Sequence, residues 1–546
     1  MEGMDTTRLG RGPAALIGLL SVAVALATGH LVAGLAEPGS SPYLAVGNAA
    51  IDLTPPAVKD FAVRTFGSYD KLVLLGGMAL VIALLAALAG LVSRSRRLPG
   101  QVLVGALGVV GVLAALQRPD VGQLAPLAPV AALVAGVLTF GWLHGRAVLA
   151  EAPRTPAARA PEPRTPAAGV PEPRTHLSES ADTPARNGGH AGGVGRERRA
   201  FLVTAAAAVG AGVAGQVLGA RVDVQASRRA VGTIRPAVEA PAVPAGADFA
   251  ADGTPPFITG NAEFYRVDTA LVVPRLRAED WSLRVHGMVD RELTLGYDDL
   301  RRRDLVERIV TLTCVSNEVG GPYISTASFV GVPLRDVLTA AGVKAGADQL
   351  VGRSDDGWTC GTPTEVVLQP DRGALLALAM NGEPLPAEHG FPVRVVVPGL
   401  YGYVSATKWL VDLELTTFDA FDPYWARRGW AKQAPIKTMS RIDRPTGFQR
   451  VPAGRVVVAG IAWAQHRGVE AVEVRADGGQ WTQATLAAEV NLDTWRMWRA
   501  SFELPPGGHT VEARATDKTG YTQTAARADP VPDGATGYHS VSFTAT

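Results

Sequence analysis

The chain changes its hydrophobic rhythm part-way along. Five early stretches, roughly 14–35, 72–93, 101–117, 126–147 and 199–220, are apolar on every face for about the 20 residues a bilayer requires. The third is the shortest, opened by Gln101 and stopped by Arg118. After about residue 250 the pattern becomes the alternation of a water-soluble fold. Ser282–His286, Arg308–Thr313 and Arg394–Val397 have strand character. Leu334, Val337, Leu338 and Ala341 have helical spacing, as do Leu375, Leu376, Ala379 and Met380, so this part is expected to be α+β. From 435 onward Val456–Ile461, Ala471–Val474, Ser501–Leu504 and Thr510–Ala515 are short β-type runs between Gly, Pro and Asp turns. They predict a sandwich with Trp481, Trp495 and Trp498 in its core.

Charge orients the apolar half. Arg8 and Arg11 precede the first stretch, Arg94, Arg96 and Arg97 separate the second from the third, and Arg146, Arg154 and Arg159 follow the fourth. The alternate loops carry Lys59, Arg64 and Arg118, offset by Asp60, Asp70 and Asp120. The positive-inside rule then places the N-terminus in the cytoplasm and everything beyond the fifth stretch outside it. Between the fourth and fifth stretches, Pro153-Arg154-Thr155-Pro156 recurs at 163–166 and again from Pro173. Nothing in that repeat can form a core, so it reads as a disordered linker. Arg198-Arg199 at the head of the fifth stretch resembles a twin-arginine export signal, and is equally what a positive flank supplies. The organisation expected is a four-helix membrane region (1–148), a linker (149–197), a fifth membrane helix (198–221), a tether (222–254), an α+β domain (255–434) and a β-sandwich (435–546).

The formal net charge of +1, with no basic patch interleaved with aromatics, sets nucleic acid aside as a partner. No apolar stretch carries a mid-membrane pair of Asp, Glu, Lys or Arg, which argues against an ion path. Two cysteines are present, Cys314 and Cys360, and they leave both a disulfide and a single-thiolate ligand open. Neither has a second cysteine close enough for a zinc or iron–sulfur site. Cys314 ends a β-branched run and opens the polar loop Val315-Ser316-Asn317-Glu318-Val319-Gly320-Gly321. That placement would present one soft ligand, although a core cysteine is the commoner use of the residue. Further on, His389, Arg394 and Lys408 bracket a β-branched strand and the turn Pro398-Gly399-Leu400-Tyr401-Gly402. Singly each reads as a surface or paired group, Arg394 beside Glu388 or Asp412. Together, cations and glycines suit an anionic ligand.

Taken in order, Asn261 to Tyr265, Trp281-x-Leu283-x-Val285-x-Gly287, Cys314 with Asn317, His389-Gly390-Phe391-Pro392-x-Arg394 and Lys408-Trp409-Leu410 resemble the molybdopterin-binding oxidoreductases of the sulfite oxidase fold. The resemblance covers about 255–546 and leaves the membrane half outside it. It implies a multi-domain chain: all-α transmembrane helices, an α+β molybdopterin-binding domain and an all-β immunoglobulin-like sandwich, through which such proteins often form homodimers. It also implies a molybdenum–molybdopterin cofactor without a nucleotide, its metal held by the pterin dithiolene and by the Cys314 thiolate. His389, Arg394 and Lys408 would anchor the pterin and its phosphate. Asn261, Phe264, Tyr265, Ser316, Asn317, Gly402 and Ser405 would complete the binding site.

Sulfite-oxidising members usually carry Gly-Asn-Arg-Arg one residue beyond the cysteine, and an arginine after the aromatic pair. Here Ser316, Asn317, Glu318 and Val319 occupy the first set, and Val267 stands where that arginine belongs, one place after Arg266. A dianion needs several forked donors, so a neutral sulfoxide or N-oxide fits better than sulfite. No Cys-x-x-Cys-His motif supplies a haem, and electrons would pass to or from a protein or membrane carrier. His30 and His144 in the apolar stretches are candidates for haem b ligation, against the commoner reading as interfacial histidines. The competing function is an anchored scaffold that binds a partner without catalysis.

Overall fold

The computed structural model describes residues 8–36, 40–55, 58, 61, 65, 66, 70–117, 124–151 and 223–546. The repeat linker, Arg198-Arg199 and the fifth apolar stretch lie outside these. The chain forms two units, 1–221 and 222–546, each built on its own principle.

Among the described residues of the first unit, four helices are long and apolar enough to cross a membrane: Arg11–Ala36, Lys71–Val92, Leu98–Leu116 and Leu127–Leu149. A fifth, Pro42–Leu53, is too short to span and was not legible in the apolar pattern. Small residues bring the helices together. A Cβ placed on Gly18 would stand 1.8 Å from Ala86 O, and one on Gly90 would stand 1.8 Å from Ala14 O, so two backbones touch where side chains are missing. The large residues Leu72, Leu80, Leu84 and Leu138 face outward. Basic residues gather at one end, where Arg94 Nε donates to Leu9 O (2.8 Å) and Arg8 Nε to Ser95 Oγ (3.3 Å). His144 Nε2 bonds Ser93 O at 2.7 Å. His30 is level with Ala132, since a Cβ on the adjacent Gly29 would lie 3.0 Å from Ala132 Cβ. Twelve helical residues, ~18 Å, therefore separate the two histidines, too far for them to share one haem iron.

The second unit contains four sheets. The first runs in the order 306–313, 324–333, 375–380, 383–384, with 394–396 also pairing to 375–380. The second runs 293–296, 282–287, 410–416, 349–354, 359–363 and has one parallel pair. Ser282–Gly287 shows why these residues make strands, since Leu283 and Val285 are fully buried while their neighbours face out. The helix Leu334–Ala341 buries the four residues at helical spacing and stops at Gly342, whose φ of 74° suits only glycine. Leu375–Met380 corrects the sequence expectation, for it is a strand. Every residue in it is buried between neighbouring strands, so no alternation survives to tell strand from helix.

The other two sheets, ordered 439–444, 454–463, 496–504, 485–486 and 450–451, 539–545, 507–517, 469–476, 482–483, share one apolar core. Trp495 and Trp498 are buried, but Trp481 is not a core residue. Its ring lies against the guanidiniums of Arg475 (4.6 Å) and Arg514 (4.4 Å), where half-exposed aromatics and cations attract without burial. The stretch read as a tether is likewise ordered from 223. It forms a helix, Val224–Val231, and buries Val231, Ile234 and Ala247 in the main core. Its isolated Val and Ile, among Pro and Ala, gave no period to read.

Candidate functional site

Cys314 stands at the end of the strand Val306–Thr313, half-buried, with a free thiol. Cys360 is also free, fully buried in the strand Thr359–Pro363, so the disulfide alternative does not hold. Burial pushes the Cys360 thiol up to about 12, and its Sγ lies 3.8 Å from Thr362 Oγ1. Burial raises the Cys314 thiol as well, but the backbone N–H and hydroxyl of Ser316 donate toward its sulfur and oppose that rise. Those two donors are ready to stabilise a thiolate.

The loop that follows is built by Asn317. Its N–H donates to Cys314 O (3.1 Å), and its buried Oδ1 accepts from Tyr323 N (2.8 Å). Asn317 thus shapes the turn beneath Cys314. Glu318 is exposed.

Two cations and a histidine converge from separate elements. The peptide turns at Gly390 with φ 108°, and a Cβ there would lie 3.1 Å from Arg394 Cβ and from Lys408 Cα. Only glycine lets His389, Arg394 and Lys408 come this close. His389 is buried, and burial with the charges of Arg394 and Lys408 lowers it to about 4. It is therefore neutral near pH 7. Its Nε2 carries the proton, because the partner at 3.0 Å is the carbonyl oxygen of Asn261. Arg394 is 5% exposed and lies over the Phe329 ring at 5.7 Å; its Nη1 donates to His389 O at 3.3 Å. No carboxylate pairs with it among the described residues, and its Nε is buried without a partner. Burial lowers it to about 10. Lys408 is different. Its Nζ binds Asp268 Oδ2 at 2.7 Å, and Asp268 also takes Arg266 Nε at 2.8 Å; burial, resisted by Asp268, brings the lysine to about 8.

Aromatic rings join these groups to Cys314. Phe264 stacks on Tyr265 (5.4 Å) and meets His389 edge-on (5.4 Å). Tyr265 feels both Cys314 and Arg394, and burial raises its hydroxyl. A Cβ on Gly402 would stand 3.9 Å from Thr313 O and 4.0 Å from the Tyr265 hydroxyl. Phe264, Tyr265, Cys314, Ser316, His389, Arg394 and Gly402 are thus neighbours. Two of the sequence candidates turn elsewhere. The Asn261 side chain binds Glu383 Oε1 (2.6 Å) and Asn381 Nδ2 (2.9 Å), and the buried Ser405 hydroxyl donates to the carbonyls of Tyr401 (3.0 Å) and Leu400 (3.2 Å). Asp268 is the residue the sequence did not reveal. It lies 140 positions from Lys408, and no local pattern links the two. A separate cavity of about 230 Å³, bounded by Arg372, Leu400, Gln465 and His466, includes none of these residues in its wall.

The family model of the oxidoreductase molybdopterin binding domain matches residues 270–425. Human mitochondrial sulfite oxidase is 31% identical over 297 residues, covering 46% of this chain and 54% of that one. The oxidoreductase YuiH of Bacillus subtilis is 35% identical over 150 residues, covering 28% of this chain and 72% of that one. The chain belongs to the sulfite oxidase-type molybdopterin oxidoreductases. It spans about half the length of the curated sulfite oxidases it matches. The sulfane dehydrogenase SoxCD of Paracoccus pantotrophus, 24% identical over 52% of this chain and 79% of its own, overlays with a TM-score of 0.45, too slight a likeness for structural argument.

Membership in the molybdopterin oxidoreductases makes molybdenum–molybdopterin the cofactor to test against these residues, and they fit it. A buried guanidinium with an unsatisfied Nε and no carboxylate is the environment an anion completes. A single thiol with two donors aimed at its sulfur suits a metal that brings its other sulfur ligands with it. Among the described residues no cluster of His, Cys, Asp and Glu could hold a metal by itself, so a metal here would need that assistance.

Proposed function

We propose that the chain is a membrane-anchored molybdenum oxidoreductase whose second unit works outside the cytoplasm, on a small sulfur or nitrogen oxo compound. The observation that carries this reading is Arg394, buried, short of a partner, and a neighbour of Cys314 through Tyr265. In the proposal Cys314 binds the metal as thiolate, and Ser316 holds that charge with its N–H and hydroxyl. Arg394 receives the pterin phosphate. Lys408 joins it by sharing or leaving Asp268. Neutral His389, with its proton committed to Asn261 O, offers Nδ1 as an acceptor toward the pterin. Phe264, Tyr265 and Gly402 line the space between, while Asn261, Asn317 and Ser405 act from behind by fixing the backbone. The bound cofactor would supply two-electron oxygen-atom transfer.

Substrate choice follows from what surrounds Cys314. Val319 and the exposed Glu318 stand where sulfite-oxidising members carry arginines, and Arg266 is already paired with Asp268. That set favours a neutral oxo compound over sulfite. Sulfite oxidation is the second reading, supported by the 31% identity to sulfite oxidases. The arginine flanks of the four apolar helices support anchoring with an outside catalytic unit, and Arg198-Arg199 supports export after folding. The two-sheet region from 439 is read as the immunoglobulin-like module, a homodimer contact in this proposal. Electrons would be exchanged with a protein or membrane carrier.

Steady-state assays of the loaded chain test the substrate reading, with a reduced dye as donor for dimethyl sulfoxide and trimethylamine N-oxide and an oxidised dye as acceptor for sulfite. Turnover of a neutral oxo compound is expected. Turnover of sulfite alone would move the assignment to the second reading, and none with any substrate would favour the scaffold.

A further inference from the structure

The strand that delivers Cys314 is an edge strand, and its open edge is held by the C-terminal region. On one side Val306–Thr313 pairs with Ile324–Pro333. On the other, Thr311 N donates to Asp493 O (2.9 Å), Asn491 Nδ2 to Ile309 O (3.0 Å) and Trp495 N to Thr311 Oγ1 (2.8 Å). The last contact before the cysteine comes from Gln465, whose Nε2 donates to Thr311 O (3.1 Å) and to Thr313 Oγ1 (3.0 Å). The orientation of that amide is fixed, because a backbone carbonyl can only accept. Gln465 and Thr313 are each 1% exposed, so water cannot replace the bond. Arg441 Nη1 continues the hold beyond Cys314 by donating to Gly321 O (3.0 Å).

We infer that Gln465 is a positioning residue for Cys314. Lying 154 residues beyond Thr311 in sequence, it sets the end of the cysteine-bearing strand. An edge strand with unpaired groups frays from its end, and the end here is the residue next to the thiol. The C-terminal region thereby serves the site directly, in addition to any assembly role. The inference rests on the proposed use of Cys314 as ligand, and its main test does not.

The test is alkylation of the full-length, cofactor-free chain by iodoacetamide, with Cys360 as the internal reference. In Gln465→Met the rate at Cys314 is expected to rise about fivefold to tenfold, the change that accompanies loss of one buried hydrogen bond, while Cys360 stays unreactive. Thr313→Val removes only the second acceptor and should give a smaller rise. The double variant should add little to Gln465→Met, since both act on one contact. An unchanged Cys314 rate in both single variants would overturn the inference. So would equal acceleration of both thiols, which would mean general loosening. In the loaded enzyme Gln465→Met should alter the electron paramagnetic signature of the metal. If thiol rates respond and no metal binds in either wild type or variant, the positioning stands and the molybdenum reading fails.

Discussion

The two units put their exceptional residues to opposite uses. In the helical unit the telling positions are where side chain is missing: Gly18 and Gly90 let two helices touch, while Leu80 and Leu84 face outward. In the second unit the telling position is a large charge inside, Arg394, with one hydrogen bond and no counterion among the described residues. Lipid gives helices no apolar reason to associate, so contact must come from close backbone packing. Water drives the second unit together, and a charge buried against that drive is retained for a purpose. The first arrangement is complete in itself, and in the proposed reading the second is completed by the pterin phosphate.

The largest expected effect is at the ligand. Cys314→Ser should abolish turnover and leave the fold intact, because a hydroxyl is a poor soft ligand. Wild-type turnover with an unchanged metal spectrum would remove Cys314 from the metal. Arg394→Met sharpens the comparison through a reversal of sign. The cofactor-free chain should be as stable or more so, since an unpaired buried charge has gone. Cofactor affinity should fall by ~1.5–3 kcal/mol, roughly 10- to 150-fold, seen as lost pterin occupancy with unchanged rate per bound metal. A loss of stability without cofactor would show Arg394 to be structural.

In the helical unit the same logic runs the other way, since adding bulk should do the damage. Gly18→Leu is expected to cost the helix bundle ~1–3 kcal/mol by forcing it off Ala86, read as easier unfolding in detergent, and to leave thiol reactivity at Cys314 unchanged. Leu84→Ala on the outer face should do almost nothing.

A pH dependence tests the buried histidines of the second unit. His389 and His539 are both held at about 4 by burial and neighbouring arginines, Lys408 adding to the effect at His389. The unfolded chain takes up these protons near pH ~6.5 while the native state refuses them. Stability is therefore unaffected by them above ~6.5 and declines as pH drops toward about 4, by at most ~3 kcal/mol per histidine. His389→Gln should remove about half of that slope, measured by urea unfolding at pH 7 and pH 5. An unaltered slope would mean that His389 already titrates near its ordinary value.

Much of this was legible in the sequence, for reasons that differ between residues. The four long helices follow from apolar length alone, and Leu334–Ala341 from its spacing. Cys314, His389, Arg394 and Lys408 could be singled out because each sits in a local pattern of strand end, glycine turn or cation. Leu375–Met380 misled because burial on both faces erases period. Trp481 misled because a ring against two arginines has the composition of a core residue and not its position. The Lys408–Asp268 pair and the grip of Gln465 on Thr313 join residues 140 and 152 positions apart, and no one-dimensional pattern carries that information.

Molybdenum and pterin content, measured together on the full chain purified from a host that makes the cofactor, tests the central claim. The account predicts about one molybdenum and one pterin per chain, both lowered by Arg394→Met. A chain that comes out folded, with Cys314 free and neither molybdenum nor pterin bound, would contradict it.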